Sequence, residues 1–529
     1  MLVVHNMTYL HADKVLLFDH INLAIHKQDK IALTGNNGAG KSTLLRILAG
    51  MLPPAAGLVR ADAAPYYVPQ IYGQYNHLSI AQALQVAPKL AALRQILAGD
   101  VSQDHLDVLA DDWSIEERCH EALAHWQLGG LPLSQPMATL SGGQKTRVFL
   151  AGIAIHRPSI VLLDEPSNHL DTRSRAILYD YITTTTNTLV VVSHDRTLLN
   201  LLHTVYELSR GSITVYGGNY DFYAAQKAIE ANALEEDVKN REKSLRKARE
   251  TEREALERQQ KLDARGKKKQ EKAGVPTIAM NTLRNKAEQS TARMKDVHAG
   301  KIDAIADELS QLRKELPGID KMKIGLDSAP LHMGKVLITA HGVNISYAGS
   351  PLWPRPLNLQ VVSGERIVIK GPNGSGKTTL IKMMLGALPP QHGAIALAHT
   401  RGMYIDQEYS LIDDTLSVYE QAQQYNTGAL QEHEIKIRLS RFLFTADAWA
   451  RPCATLSGGE KMRLTLCCLT IAEQAPDIIV MDEPTNNLDI SNTELLTAAI
   501  KQYRGTLIIV SHDAWFLQQV GAERVIDLG

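Results

Sequence analysis

One eight-residue pattern occurs twice in this chain of 529 residues. Gly35-Asn36-Asn37-Gly38-Ala39-Gly40-Lys41-Ser42 and Gly371-Pro372-Asn373-Gly374-Ser375-Gly376-Lys377-Thr378 both read G-x-x-x-x-G-K-[ST], the P-loop pattern. The glycines let the backbone turn back so that successive N–H groups face phosphate oxygens. The lysine reaches the β- and γ-phosphates, and the Ser or Thr hydroxyl ligates Mg²⁺. Each copy follows an apolar strand pattern, Lys30 to Thr34 and Arg366 to Lys370, and opens a helix at Ser42-Thr43 and Thr378-Thr379. Chance could supply one Gly-rich turn, but not two strand–loop–helix copies. Two bound nucleoside triphosphates are expected.

The duplication extends well beyond the loops. After the first copy come Gln70 at a strand end, then Leu140-Ser141-Gly142-Gly143-Gln144 opening a helix. The strand Ile160 to Leu163 ends in Asp164-Glu165, Ser167-Asn168-His169-Leu170-Asp171 follows, and the next strand ends at His194-Asp195. The second copy repeats this order as Gln407, Ser457-Gly458-Gly459-Glu460, Asp482-Glu483, Asn486-Asn487-Leu488-Asp489 and His512-Asp513. Asp164 to His194 and Asp482 to His512 are both 30 residues. Such repetition means a duplicated domain, and it resembles the paired nucleotide-binding domains of the ATP-binding cassette superfamily. The implied fold class is α/β: two P-loop NTPase domains of this type, residues 1–226 and 331–529, joined by a long antiparallel helical hairpin over 227–330.

Gln70 to Ser141 spans 71 residues against 50 from Gln407 to Ser457. The first copy therefore carries about 21 extra residues between Val86 and Trp113, read as either a surface insertion or a contact arm. The second copy stops at Gly529 and lacks a match to the first copy's hairpin near Gly211 to Tyr216.

The middle segment is different material. No Phe, Tyr or Trp occurs between Tyr223 and Tyr347, so it cannot build a large core. Leu234, Val238, Leu245, Ala248, Ala255 and Leu262 form one heptad-like stripe, and Ile302, Ile305, Leu309, Leu312 and Leu316 another, ended by Pro317-Gly318. A basic, Gly/Pro-broken turn from Ala264 to Pro276 is expected between two helices on the order of 50 Å long. Residues 239–295 hold 18 Lys or Arg against 8 Asp or Glu, in a chain whose net charge is −1. That one-signed excess points to phosphate binding through Arg265, Lys267, Lys268, Lys269 and Lys272. With no aromatic side chains to stack unpaired bases, shape and backbone would be read, as in structured RNA.

An apolar content of 44% and a charged content of 21% are ordinary for a soluble protein. No run approaches the 18 apolar residues of a membrane span, and the N-terminus lacks a signal-peptide pattern. Cys119, Cys453, Cys467 and Cys468 show no metal or redox spacing, which fits a reducing cytoplasm.

The resemblance assigns roles to positions of this sequence. ATP and Mg²⁺ would be held by Lys41 with Ser42, Asp164 and Gln70, and by Lys377 with Thr378, Asp482 and Gln407. Glu165 and Glu483 would polarise the attacking water, and His194 and His512 would contact the γ-phosphate. Ser457, Gly458, Gly459 and Glu460 would close the Lys41 site. Ser141, Gly142, Gly143 and Gln144 would close the Lys377 site. Tyr9 and Tyr347 either stack on adenine or fill the core. Neither copy has lost a motif residue, so both are expected to hydrolyse ATP, with no homodimer required.

Two cassettes in one chain, a charged helical linker and an insertion confined to the first cassette resemble the ABC-F family. Its members are soluble translation factors or ribosome-protection proteins, acting in the cytoplasm, whose linker reaches toward ribosome-bound tRNA and whose arm touches ribosomal protein or RNA. The implied partner is thus the ribosome, its rRNA and tRNA. The tip around Lys267 to Pro276 leaves a resistance role and a housekeeping role both open. The competing classes are an ATPase subunit driving a separate membrane transporter and a DNA-associated ATPase.

Overall fold

The computed structural model describes residues 1–11, 14–209, 211–272, 277–315, 334–347, 349–486 and 488–528; of 263, 266–272, 277–291, 294, 295, 314 and 315 only the backbone is described. The chain divides into two units. Met1–Tyr223 and Lys321–Gly529, which hold both P-loops, form one, and Ala224–Asp320 forms the other.

In the first half, a six-stranded sheet runs in the order Tyr66–Val68, Ile160–Asp164, Thr188–Val192, Lys30–Thr34, Thr204–Ser209 and Ser212–Tyr216. All neighbours are parallel except the last pair. The second half repeats the parallel part as Gly402–Ile405, Ile478–Asp482, Thr506–Val510, Arg366–Lys370 and Arg524–Asp527. A three-stranded antiparallel sheet accompanies each, with Leu2–Leu10 central in one and Val336–Asn344 in the other.

Every residue of Ile160–Asp164, Thr188–Val192, Ile478–Asp482 and Thr506–Val510 is buried. Parallel strands covered on both faces read as apolar runs, and these do, apart from Thr188 and Thr506 at two starts and Asp164 and Asp482 at two carboxyl ends. The period of two feeds two cores. Ile478, Val480, Ile508 and Val510 pack with the P-loop helix Lys377–Met384. Ile479, Met481, Leu507 and Ile509 pack with the helices Gly458–Ile471 and Ile490–Gln502. The carboxyl ends of the central strands therefore converge beside each P-loop, where ligands of such sheets bind.

The extra residues of the first half form two short helices, Ala87–Leu97 and Gln103–Leu109. Asp112 holds their base, 3.0 Å from Lys89 and 2.7 Å from Arg118.

The other unit contains nearly all of two long helices, Tyr220–Lys272 of 53 residues and Thr277–Glu315 of 39. The first starts earlier than the sequence suggests and runs through Gly266 to about 80 Å, rather than turning near Ala264. One interior glycine costs a helix only about 1 kcal/mol, and the surrounding Lys, Gln, Glu and Arg are strong helix formers. Val238 and Leu309 are buried, while Leu262 is 60% exposed, so the apolar stripe fades along the hairpin. Arg241 pairs with Glu308 at 3.2 Å and Arg313 with Glu242 at 2.6 Å, tying the two helices together. The side chains of Lys267, Lys268, Lys269 and Lys272, residues 273–276, and the stop at Pro317-Gly318 lie outside the described residues. Among the described residues no helix is long and apolar enough to cross a membrane.

Candidate nucleotide sites

Gly35 has φ +147°, and a Cβ there would lie 2.4 Å from the Leu208 carbonyl, so the loop's first turn accepts only glycine. The lysines lie back over their own loops. Lys41 Nζ donates to the carbonyls of Gly35 at 2.7 Å and Asn36 at 3.2 Å, and Lys377 Nζ to those of Gly371 at 2.8 Å and Pro372 at 3.0 Å. Ser42 donates to Asp164 at 3.1 Å and Thr378 to Asp482 at 3.0 Å. Sequence reasoning missed two further partners of these carboxylates. Tyr67 OH donates to Asp164 at 2.9 Å, and Tyr404 OH to Asp482 at 3.0 Å. A half-buried tyrosine in an edge strand gives no sign that its hydroxyl has such a target.

Burial pushes the Asp164 carboxyl up to about 6, against the hydrogen bonds of Ser42 and Tyr67. Glu165 and Glu483 are both buried, and desolvation raises each to about 7. Their backbones take φ values of 51° and 49°, a conformation rare for a non-glycine residue, with each N–H held by Val192 or Val510 in the next strand at 2.8 Å. Glu165 Oε2 accepts from the His194 backbone N–H at 3.3 Å, and Glu483 Oε2 from that of His512 at 3.4 Å. Burial also holds both imidazoles well below their ordinary value, so they are neutral at pH 7; His512 falls to about 4, with Arg175 and Lys377 adding to the effect.

A cavity of about 350 Å³ opens beside Lys41, lined by Asn37, Gly38, Gly40, Ser42, Thr43, Gln70, Asp164, Glu165 and His194, with His11, Leu17 and Val192 completing it. Tyr9 does not line it. Its half-buried ring packs against Phe18 of the core, centroids 6.4 Å apart, and edge-on against His11 of the cavity wall at 5.8 Å. Tyr347 is 54% exposed in a two-residue strand, and Gln407 is exposed just beyond the strand Gly402–Ile405.

The two halves meet crosswise. Asn37 N–H donates to Asp489 at 3.4 Å, and Asn373 Nδ2 donates to the His169 carbonyl at 3.3 Å. Gly143 lies at the second of these junctions: a Cβ there would stand 2.5 Å from the His169 carbonyl and 3.5 Å from Asn373 Nδ2. Ser141 and Ser457 cap their helices, accepting from the backbone N–H groups of Gln144 and Glu460. Glu460 is also bound by Arg451 at 2.7 Å. Arg196 pairs with Glu494 at 2.5 Å and stacks over Trp515 at 3.7 Å, so both electrostatics and ring packing cross the seam.

A family model described as ABC transporter matches residues 18–168 and 354–486, together more than half of the chain. The putative ATP-binding protein YdiF of Bacillus subtilis is 31% identical over 98% of this chain and 78% of its own length. The tylosin resistance ATP-binding protein TlrC of Streptomyces fradiae is 31% identical over 97% of this chain and 94% of its own. The energy-dependent translational throttle protein EttA of Mycobacterium tuberculosis is 28% identical over 96% and 88%. Among solved structures, an archaeal ribosome recycling factor in complex with a ribosomal stalk protein superposes with a TM-score of 0.59 at 19% identity, over 99% of this chain and 87% of the other, a likeness of fold. Fold and site thus define a tandem-cassette ATPase: the chain belongs to the ATP-binding cassette family. Two cassettes in one polypeptide and relatives of this kind place it in the ABC-F group.

Proposed function

We propose that this ATPase hydrolyses Mg²⁺·ATP at both composite sites and acts in the cytoplasm as a monomer on the ribosome, where the hairpin contacts rRNA and tRNA. Segments 1–226, 227–330 and 331–529 would be cassette, hairpin and cassette. The observation that carries the clamp is the crosswise seam, with Asp489 at the first P-loop and His169 at the second. Support for the ribosome comes from relatives whose names state translational throttling and tylosin resistance, and from the one-signed charge of the linker.

The donors at each P-loop fit a magnesium nucleotide: a hydroxyl, a carboxylate and a glutamine amide are hard oxygen ligands. Ser42, Asp164 and Gln70, and Thr378, Asp482 and Gln407, would hold the ion, whose charge would offset that developing on the phosphate oxygens. Lys41 and Lys377 would exchange their loop carbonyls for phosphate oxygens. Glu165 and Glu483 would each take a proton from the attacking water, a task suited to a carboxylate titrating near 7. Serine-capped helix N-termini, Ser141 to Gln144 and Ser457 to Glu460, would present backbone N–H groups to the triphosphate from the opposite cassette.

Glu165→Gln with Glu483→Gln in the full chain should abolish turnover while leaving ATP bound, and the trapped protein should sediment with ribosomes on a sucrose gradient. Protein that stays at the top of the gradient, or moves to membranes or to DNA, would remove the ribosome from this reading.

A further inference from the structure

The two ATP sites are built from matching motifs, yet their histidines meet different neighbours. His512 Nδ1 is hydrogen-bonded to Thr172 Oγ1 of the first cassette at 3.2 Å. Arg175, one turn along the same helix, donates from Nη1 to the His512 carbonyl at 3.4 Å. The same guanidinium lies 3.6 Å from Asp195, the residue after His194, with both side chains mostly buried. Tyr179 holds that carboxylate as well, at 2.5 Å. Arg175 thus bridges the two histidine loops across the seam. All of these residues line one cavity of about 250 Å³ between the cassettes.

The repeat register shows what the other site receives. Asp164 corresponds to Asp482 and Asp171 to Asp489, an offset of 318, which puts Ile490 at the position of Thr172 and Thr493 at that of Arg175. Isoleucine has no hydroxyl to offer. Thr493 turns its own hydroxyl back to the Asp489 carbonyl at 3.0 Å. Among the described residues, the buried His194 Nδ1 has no hydrogen-bond partner, whereas at the other site it is His512 Nε2 that has none.

The geometry points to Thr172 and Arg175 as positioning residues that act in trans on His512, making the Lys377 site the better organised of two inequivalent ATPase sites. With the Thr172 hydroxyl as the donor to Nδ1, the ring proton sits on Nε2, which lies 3.4 Å from Glu483 as His194 Nε2 lies 3.3 Å from Glu165. That Nε2–H is then oriented to donate to a terminal phosphate, while Arg175 holds the backbone of the loop. The Glu483 carboxylate also senses the Arg175 charge from the opposite cassette, whereas the cation acting on Glu165 is Lys41 of its own cassette. The first cassette contributes the cation and hydroxyl to its partner's site, and the partner returns an isoleucine and a self-satisfied threonine.

This rests on the hydrolytic sites proposed above, and the test separates the two. Glu165→Gln leaves turnover at the Lys377 site, and Glu483→Gln leaves it at the Lys41 site. Thr172→Val in the Glu165→Gln full-length protein should lower kcat by about threefold to tenfold, the range set by removing one hydrogen bond, with KM for ATP little changed. Thr172→Ser should restore it, and Arg175→Lys should give an intermediate value. In the Glu483→Gln background the same changes should lower kcat several-fold less. Equal losses in both backgrounds, or no loss in the first, would overturn the inequivalence while leaving the sites standing. Residual turnover in the double glutamine variant would overturn the sites and the inequivalence together.

Discussion

Tyr67 donates its hydroxyl to Asp164 over 2.9 Å, and 337 residues later Tyr404 does the same to Asp482 over 3.0 Å. Each aspartate thereby accepts from two hydroxyls, one on its own P-loop helix and one on the neighbouring strand. This leaves the carboxylate little freedom to rotate. Tyr67→Phe and Tyr404→Phe should each cost about 0.5–1.5 kcal/mol, read as a three- to tenfold rise in the Mg²⁺ needed for half-maximal turnover. An unchanged magnesium titration would show that these hydroxyls only fill space.

The raised carboxyls predict a pH profile. Glu165 and Glu483 must be ionised to accept a proton, and burial places both near 7. The kcat/KM for ATP should therefore rise across pH 6 to 8 in the free enzyme, rather than level off near pH 5 as an ordinary glutamate would dictate. Steady-state rates across pH 5.5–8.5 check this, and a flat profile over that span would contradict it.

The same burial has a stability cost of definite sign. With a folded pKa of about 7 and an ordinary value of 4.5, the folded chain binds the extra proton between those limits. Stability therefore falls as pH climbs from 4.5 through 7. Glu165→Gln and Glu483→Gln remove that loss. In nucleotide-free protein each should stabilise by about 1–3 kcal/mol at pH 8 and by far less at pH 5. Thermal melts at the two pH values make the comparison, and an equal change at both would contradict it.

Gly152 is a packing glycine. It lies within the helix Gly142–His156, and a Cβ there would stand 1.8 Å from the Tyr66 hydroxyl, which donates to the Phe149 carbonyl at 2.9 Å. Gly152→Ala should destabilise by about 1–3 kcal/mol despite alanine's better helix propensity. A melting temperature at or above that of the parent would mean the ring moves aside freely.

Replacing Lys267, Lys268, Lys269 and Lys272 by Ala should weaken RNA binding. The log–log salt slope should flatten by about 0.7–0.9 for every phosphate that the chain no longer neutralises. Filter binding over a range of KCl concentrations tests this, and an unaltered slope would assign those charges to solvent.

The frame of this molecule was legible because its strongest signals are local. A P-loop fixes a strand before it and a helix after it, and two copies fix two sheets. Strand order was not legible, since pairing Ile160–Asp164 with Tyr66–Val68 joins segments about 90 residues apart without any local mark. The hairpin was read from Leu309 and its neighbours, but the Gly/Pro cue misplaced the end of the first helix. Gly266 is outvoted by the helix formers around it. Thr172 and Arg175 carried no sequence signal at all. Their meaning lies in what faces them across the seam, and only the comparison with Ile490 and Thr493 exposes it.

Joining both cassettes in one polypeptide has a genetic consequence. Halves encoded separately could pair like with like, and selection would then hold the two surfaces nearly the same. A covalent join makes every first half meet a second half, so a change on one face need only suit a single opposite face. Thr172 and Ile490 are free to diverge under that arrangement, and over generations the paired engines can specialise without ever being mismatched.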